Sequence, residues 1–307
     1  DEPIVVITKG HAYTIPEMEE DLTTSLKTLQ VTGKGNLKIG ENNIKLIYLI
    51  HGLSDERWTT IKESGVLDEL QKLKKEGVIN YIGFSSHYPF VKEVKEAVDL
   101  GIFDVVELPY NIFNRTFGEN GELNLFKYIY GKNIGIINMK AFNGNGMIPL
   151  FPIIKEYVSI DYQAMLRFCL SNPYISTVDA GTKYPKEFSS DMQVATGSRY
   201  TEQELIEMRK EADKVAPHLQ NICRKCMHCQ EKFTCPNEID FPEILSLYNH
   251  YTFLTRENKD TTMVINKYNL LSKNGDDCIE CGECLPWCEY KLNIPGLLKK
   301  AHEVLGK

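Results

Sequence analysis

KLIYLI, Lys45 to Ile50, is a largely apolar run of the kind that forms a strand covered on both faces, as the strands of a parallel sheet are. Runs of the same character lie at Ile4 to Thr8, Tyr81 to Ser85, Asp104 to Leu108, Gly135 to Met139 and Thr177 to Ala180. Longer stretches of helical periodicity separate them, so residues 4 to about 180 read as six βα units around a parallel sheet, an α/β fold. Pro16 to Leu29 reads as the first helix, with apolar residues at Met18, Leu22, Leu26 and Leu29 and a proline near its first turn. Val31 to Asn43, rich in Gly, Lys and Asn, reads as a loop insertion. Thr201 opens a helix that Glu204 caps reciprocally and that ends before Pro217. After residue 221 no strand is expected, and Phe241 to about Leu271 is mostly helical.

The bulk composition narrows the functional classes. A chain of 307 residues, 42% hydrophobic and 25% charged, suits one large globular domain and a small one. The net charge is -7 with acids and bases interleaved, which leaves no basic field for nucleic acid or an anionic membrane. The apolar stretches Ile44 to Ile50 and Ile134 to Met139 are far shorter than the roughly 20 residues a membrane span needs. No secretory core is seen at the start, so a cytoplasmic location is expected. Nine cysteines in such a chain point to metal or redox chemistry, because cytosolic thiols stay reduced.

Eight of those cysteines follow residue 220 and form two quartets: Cys223, Cys226, Cys229, Cys235, and Cys278, Cys281, Cys284, Cys288. Each opens with C-x-x-C-x-x-C, which lets three thiolates from one turn reach three irons of a cubane while a fourth cysteine ligates the other cluster. Two 4Fe-4S clusters are therefore expected, one on Cys223, Cys226, Cys229 and Cys288, the other on Cys278, Cys281, Cys284 and Cys235. The first quartet has five residues before its fourth cysteine where three are usual, and Glu289 follows Cys288 where proline is usual. Neither departure removes a ligand. Two four-cysteine zinc sites are the alternative, although zinc ribbons bring two separated pairs per ion rather than a triple with a distant fourth. His228 and Met227 read as neighbours of the first quartet, Trp287 as a shield, and Cys169 as a small buried apolar residue.

The strand VVITKG with Lys9, LIYLIHG with His51, the run YIGFSSH, and the segments VVELPYNIFNR and IGIINMKAF resemble the aldo-keto reductases. With the cysteine quartets after them, the series is similar to the iron-sulfur branch of that family. The resemblance implies a (β/α)8 TIM barrel whose strands three to eight fill residues 1–200, the first two βα units lying outside this chain. A connecting helix at 201–220 and a small, mainly helical ferredoxin-like domain at 221–307 follow. It also implies a site at the C-terminal strand ends. There a tetrad of Asp, Tyr, Lys and His acts, tyrosine as general acid, lysine lowering its pKa and histidine orienting the substrate oxygen. Lys9 and His51 match the last two; the Asp and Tyr would lie on the first two units, and Tyr13 follows the wrong strand to stand in.

For a nicotinamide cofactor, NADH or NADPH, the resemblance offers Ser85 and Glu107 to the carboxamide, Gly144 with Gly146 to the pyrophosphate, and Lys183 with Lys186 to a 2'-phosphate. Ser86 stands where asparagine is common, Glu107 where glutamine is usual and Asp191 where asparagine is frequent. The expectation is an oxidoreductase acting on a small carbonyl or related substrate, coupled to the clusters. A nicotinamide moves two electrons and each cluster one, which leaves room for a flavin, although no flavin motif is visible. The alternative is a catalytically degenerate electron-transfer or scaffold subunit with a redox protein partner. A third reading gives the cysteine module a purely structural, stapling role.

Overall fold

The computed structural model describes residues 2–11, 13–87, 91–119, 124–142, 151–219, 221–224, 229–230, 233–288 and 290–306. The chain divides into two compact units, Asp1–Tyr110 with Asn114–Met139 and Asn172–Asp179, and Asn111–Phe113 with Lys140–Ser171 and Ala180–Lys307.

The first unit holds β1 (Ile4–Gly10), β2 (Val31–Thr32), β3 (Lys38–Ile39), β4 (Asn42–Ile50), β5 (Tyr81–Ser85), β6 (Val105–Pro109), β7 (Gly135–Met139) and β8 (Thr177–Val178). β1, β4, β5, β6, β7 and β8 run parallel and lie side by side in chain order. The register sets Gly10 opposite Ile50, Ile50 opposite Phe84, and Ser85 opposite Glu107, so the C-terminal ends of four neighbouring strands align. These are the six expected βα strands, with ends shifted by one to a few residues at β1, β4, β6 and β8. Val31 to Asn43 is not a plain loop: β2 and β3 pair antiparallel, and β4 already begins at Asn42. Gly33 makes this hairpin possible, because it sits at φ +87 and a Cβ there would fall 2.3 Å from the Asn36 carbonyl oxygen.

Helices cover this sheet through short apolar stripes. α1 (Ile15–Thr28) starts at a capping box between Thr14 and Glu17 with Pro16 in its first turn, and buries Met18 and Leu22. α2 (Asp55–Glu63) carries Trp58, which is fully buried. α3 (Val66–Lys75) buries Val66 and Leu70, and α4 (Val91–Asp99) buries Val94, Ala97 and Val98. Strand residues Leu46, Leu49, Ile82, Phe84, Val106 and Ile136 are solvent-free, as the continuous apolar runs require.

The second unit is helical among its described residues. The helix Glu202–Asp213 opens with the expected Thr201–Glu204 capping box. The stretch from Phe241 forms two helices, Phe241–Arg256 and Thr262–Asn269, which pack with Ile294–Leu305 around Phe241, Ile244, Val264, Tyr268, Leu298 and Ala301. Asp240 and Asn293 cap the outer two, each by accepting from a backbone amide three residues on. Cys169, in the helix Tyr162–Leu170, is solvent-free and its thiol is pushed well up by burial, in keeping with an apolar role. No described helix is long and apolar enough to cross a membrane.

Candidate functional site

Parallel strands converge their C-terminal ends on one rim, and in the first unit that rim carries Lys9, His11, His51, Ser85, His87 and Glu107. Lys9 Nζ donates to Glu107 Oε2 as an ion pair. Lys9 lies on β1 and Glu107 on β6, three strand spacings away, which is about 14 Å on a flat sheet and beyond the joint reach of the two side chains. They meet because the sheet curls, so the concave face is the inner wall of a barrel arc. Glu107 is 2% exposed, and Lys9 supplies a cation to its buried carboxylate. The pair sets the Glu107 carboxylate against an ammonium and offsets the Lys9 charge with a carboxylate.

Tyr48 and Tyr13 are both pushed toward the neutral phenol. Burial, reinforced by Asp21, raises Tyr48 well above the ordinary tyrosine range. Gly10 makes space for it, since a Cβ at that position would fall 1.8 Å from the Tyr48 hydroxyl. Tyr13 is raised chiefly by burial although Arg57, 5.1 Å from its ring, pulls the other way.

The histidines gather. His51 Nδ1 lies 3.0 Å from His11 Nδ1, and His51 Nε2 lies 3.4 Å from His87 Nε2. Behind them the rim is fastened by hydroxyls: Ser85 Oγ accepts from the Gly52 amide at 2.9 Å, and Ser86 Oγ donates to the Leu53 carbonyl at 3.2 Å. The structure thus brings Lys9, His51, Ser85 and Glu107 together. His11 and His87 had not been singled out in the sequence; the available signal was that each, like His51, stands one or two residues past a strand end. Gly144 lies outside the described residues. Lys183 belongs to the second unit, exposed, with its backbone amide donating to Glu187 at 2.9 Å; Asp191 accepts from Thr182 at 3.1 Å.

In the second unit the cysteines separate into two groups. Cys223, Cys229 and Cys288 line one apolar pocket with Phe241, Leu245 and Ile294. Asn249, on the helix Phe241–Arg256, donates to the Cys223 carbonyl at 2.7 Å, and the Leu292 amide donates to Cys288 Sγ at 3.4 Å. Cys226 lies outside the described residues. In the other group burial raises the Cys284 thiol to about 11, with Cys278, Cys281 and Cys235 adding to the effect, and Cys278 is raised by burial and then by Cys235 and Cys281 among its neighbours. Glu280 and Gly282 take left-handed conformations that wrap the turn, and Asn237 ties the Cys235 loop to the Asp277 carbonyl at 2.7 Å. Each group therefore joins members of one cysteine run to the distal cysteine of the other. Among the described residues, no set of three or more His, Cys, Asp or Glu is gathered closely enough to hold a single metal ion.

The first pocket has a second chemical feature. Arg224 lines it, stacks over Tyr290 at 3.9 Å and keeps a buried Nε without a hydrogen-bond partner. Soft sulfur donors, apolar walls and an unmatched guanidinium nitrogen fit an anionic, thiolate-ligated centre.

Residues 1–150 match the model of the aldo/keto reductase family. Among solved structures the chain is similar to an aldo-keto reductase from Bacillus halodurans in its holo form, at 20% identity over 67% of this chain and 71% of that one, with a TM-score of 0.53. The apo form of that protein gives 20% identity, 66% and 70% coverage and a TM-score of 0.50. At this identity the likeness to the solved structures is one of fold. No curated protein matches the chain. The family match is confined to residues 1–150, and it is the ground for an oxidoreductase reading.

Proposed function

We propose, on the premise that residues 1–150 carry an aldo/keto reductase domain, that the chain is an oxidoreductase acting on a small carbonyl or related substrate and exchanging electrons through two 4Fe-4S clusters. The observation that carries the second half is the crossed grouping of the cysteines. Cys223 and Cys229 share a pocket with Cys288, and Cys235 influences the thiols of Cys278 and Cys284. Cys226 completes the first set in this reading, and Cys281 the second. Clusters of this type supply single electrons, and a nicotinamide supplies a hydride. The chain's own part is to hold each thiolate in an apolar wall, to match anionic charge with Arg224, and to donate the Leu292 amide to Cys288.

In the first unit the proposed work is binding and proton placement. Ser85 fixes the rim beside the carboxamide position and His51 presents an imidazole to the substrate oxygen; Lys183, in the second unit, stands as a nucleotide contact of its own unit, and Gly144 as a second one outside the described residues. Lys9 serves as the partner of buried Glu107, which favours a site that depends on histidine rather than on a lysine-activated phenol.

The same Lys9–Glu107 pair favours a second reading, in which the barrel arc has lost catalysis and the chain is an electron-carrying or scaffold subunit. Anaerobic titration of the purified chain with NADH and NADPH separates them, following cluster absorbance and the reduced-state EPR signal. Bleaching by either nucleotide supports coupled chemistry. Nucleotide binding without reduction, or no binding, moves the assignment to the subunit; absence of any iron-sulfur absorbance removes the clusters from both.

A further inference from the structure

His51 uses both of its ring nitrogens on other imidazoles. Nδ1 faces His11 at 3.0 Å and Nε2 faces His87 at 3.4 Å, with ring centroids 4.1 Å and 5.3 Å apart and interplanar angles of 68° and 78°. A neutral imidazole has one donor and one acceptor nitrogen on opposite sides of its ring, so a proton taken up at one nitrogen releases the proton held at the other. Three imidazoles in this order are a through-ring path. Its inner member is half-buried and its first member, His11, is exposed to water. Histidine is also the side chain whose ordinary titration lies nearest neutral pH. Other proton carriers on the rim are committed: Lys9 to Glu107, and Tyr48 to a neutral buried state.

We propose that His11, His51 and His87 form a proton relay in which His11 recharges His51 through Nδ1 while His51 delivers a proton from Nε2 to a substrate oxygen that takes the place of its long contact with His87. The inference rests on the carbonyl reading above. The 3.4 Å contact between the two Nε2 atoms is long for a hydrogen bond, so a carbonyl oxygen at about 2.8 Å from His51 Nε2 can replace it. In the step, the Nε2–H bond of His51 breaks and an O–H bond forms on the substrate. A hydride from a reduced nicotinamide, which is thereby oxidised, supplies the electron pair at the carbonyl carbon. The Nδ1 proton of His11 moves to His51 Nδ1 and water protonates His11 Nε2; after the product leaves, proton exchange with water returns both rings to their starting tautomers. The charged and titratable groups around the relay are Lys9 on β1, Glu107 on β6, Asp21 on α1, which accepts from the His11 amide at 2.8 Å, and Arg57 on α2, which donates to the Gly52 carbonyl at 3.0 Å. Tyr13 and Tyr48 stand beside them as phenols.

The test uses the full chain purified anaerobically, with imidazole nitrogens followed by long-range proton–nitrogen NMR between pH 5 and 9. His51 is expected in the Nε2–H tautomer and to titrate in two steps separated by about one pH unit, as a coupled group does. His11→Gln still donates to Nδ1 but carries no proton onward, so it keeps the tautomer and removes the step that comes from His11, leaving the coupling to His87. A single-step curve for His51 in the unsubstituted chain overturns the relay, whether or not the variant folds. Reduction of 4-nitrobenzaldehyde by NADPH in mixed light and heavy water gives the second readout. Rate against deuterium fraction should curve in the unsubstituted chain and become linear in His11→Gln, with kcat lower by about tenfold. Two-step titration without aldehyde reduction overturns the carbonyl reading and leaves the relay standing.

Discussion

Removing the two halves of the Lys9–Glu107 pair should have unequal costs. Glu107 is 2% exposed, whereas the Lys9 side chain keeps 30% of its surface in water. Lys9→Met removes the ammonium from a buried pair on β6 while the carboxylate stays, a change that costs ~3–5 kcal/mol. Glu107→Gln leaves an ammonium that reaches solvent by a small swing of its four-carbon stem, and the glutamine oxygen still accepts a hydrogen bond. That loss should be ~1 kcal/mol. The gap between the variants, ~2–4 kcal/mol, follows from exposure alone, because the same contact is broken in each. Urea unfolding reads it through Trp58, buried on α2, in a Trp287→Phe background that silences the other of the chain's 2 tryptophans. One probe within one unit is needed, since a chain of two units need not unfold in a single step. The double variant Lys9→Met/Glu107→Gln should recover most of the Lys9→Met loss, because no buried carboxylate remains. Equal costs for the single variants, or no recovery in the double, would refute the reasoning.

The crossed cysteine grouping predicts that Cys288→Ala and Cys235→Ala each lower iron and sulfide to about half while abolishing different EPR components, measured by chemical analysis and redox titration. Replacing Arg224 by Gln should lower the potential of the centre beside it by an amount on the order of tens of millivolts, since a neighbouring cation is lost; an unchanged potential would place the guanidinium outside its field. Tyr48 carries a pH signature. Its folded pKa lies above its unfolded value of about 10, so the stability this confers is complete below pH 10 and is lost as pH rises beyond it. Tyr48→Phe should therefore flatten the alkaline fall in stability, read by urea midpoints at pH 9 and pH 11. Cys169→Ser buries a hydroxyl where the thiol had no exposure and should cost ~1–3 kcal/mol in thermal or urea unfolding, whereas an exposed-site change costs almost nothing.

What could be read in the chain was whatever follows from local chemistry. Runs such as KLIYLI announce buried strands because nothing polar interrupts them, and Thr201 with Glu204 announces a helix start because the two groups satisfy each other locally. The C-x-x-C-x-x-C spacing announces a sulfur-rich turn for the same reason. The β2–β3 hairpin was missed because Lys- and Asn-rich composition resembles a loop, and only Gly33 and two short pairings reveal the strand. The Lys9–Glu107 pair was invisible because its members are 98 positions apart and meet only through the curl of the sheet. His11 and His87 stayed hidden for a related reason: each is unremarkable in its own loop and acquires meaning from His51 between them. Arg224 needed the pocket before its unmatched nitrogen could be noticed.

The exchange of distal cysteines between the two runs has a consequence for assembly. With Cys288 assigned to the Cys223 pocket and Cys235 to the Cys278 group, filling one centre draws together segments more than 40 residues apart and so closes the loop that the other centre also requires. The entropy of that closure is met once and serves both. Loading should then be cooperative: at limiting iron and sulfide, half-charged molecules should be fewer than independent filling of the two centres would give.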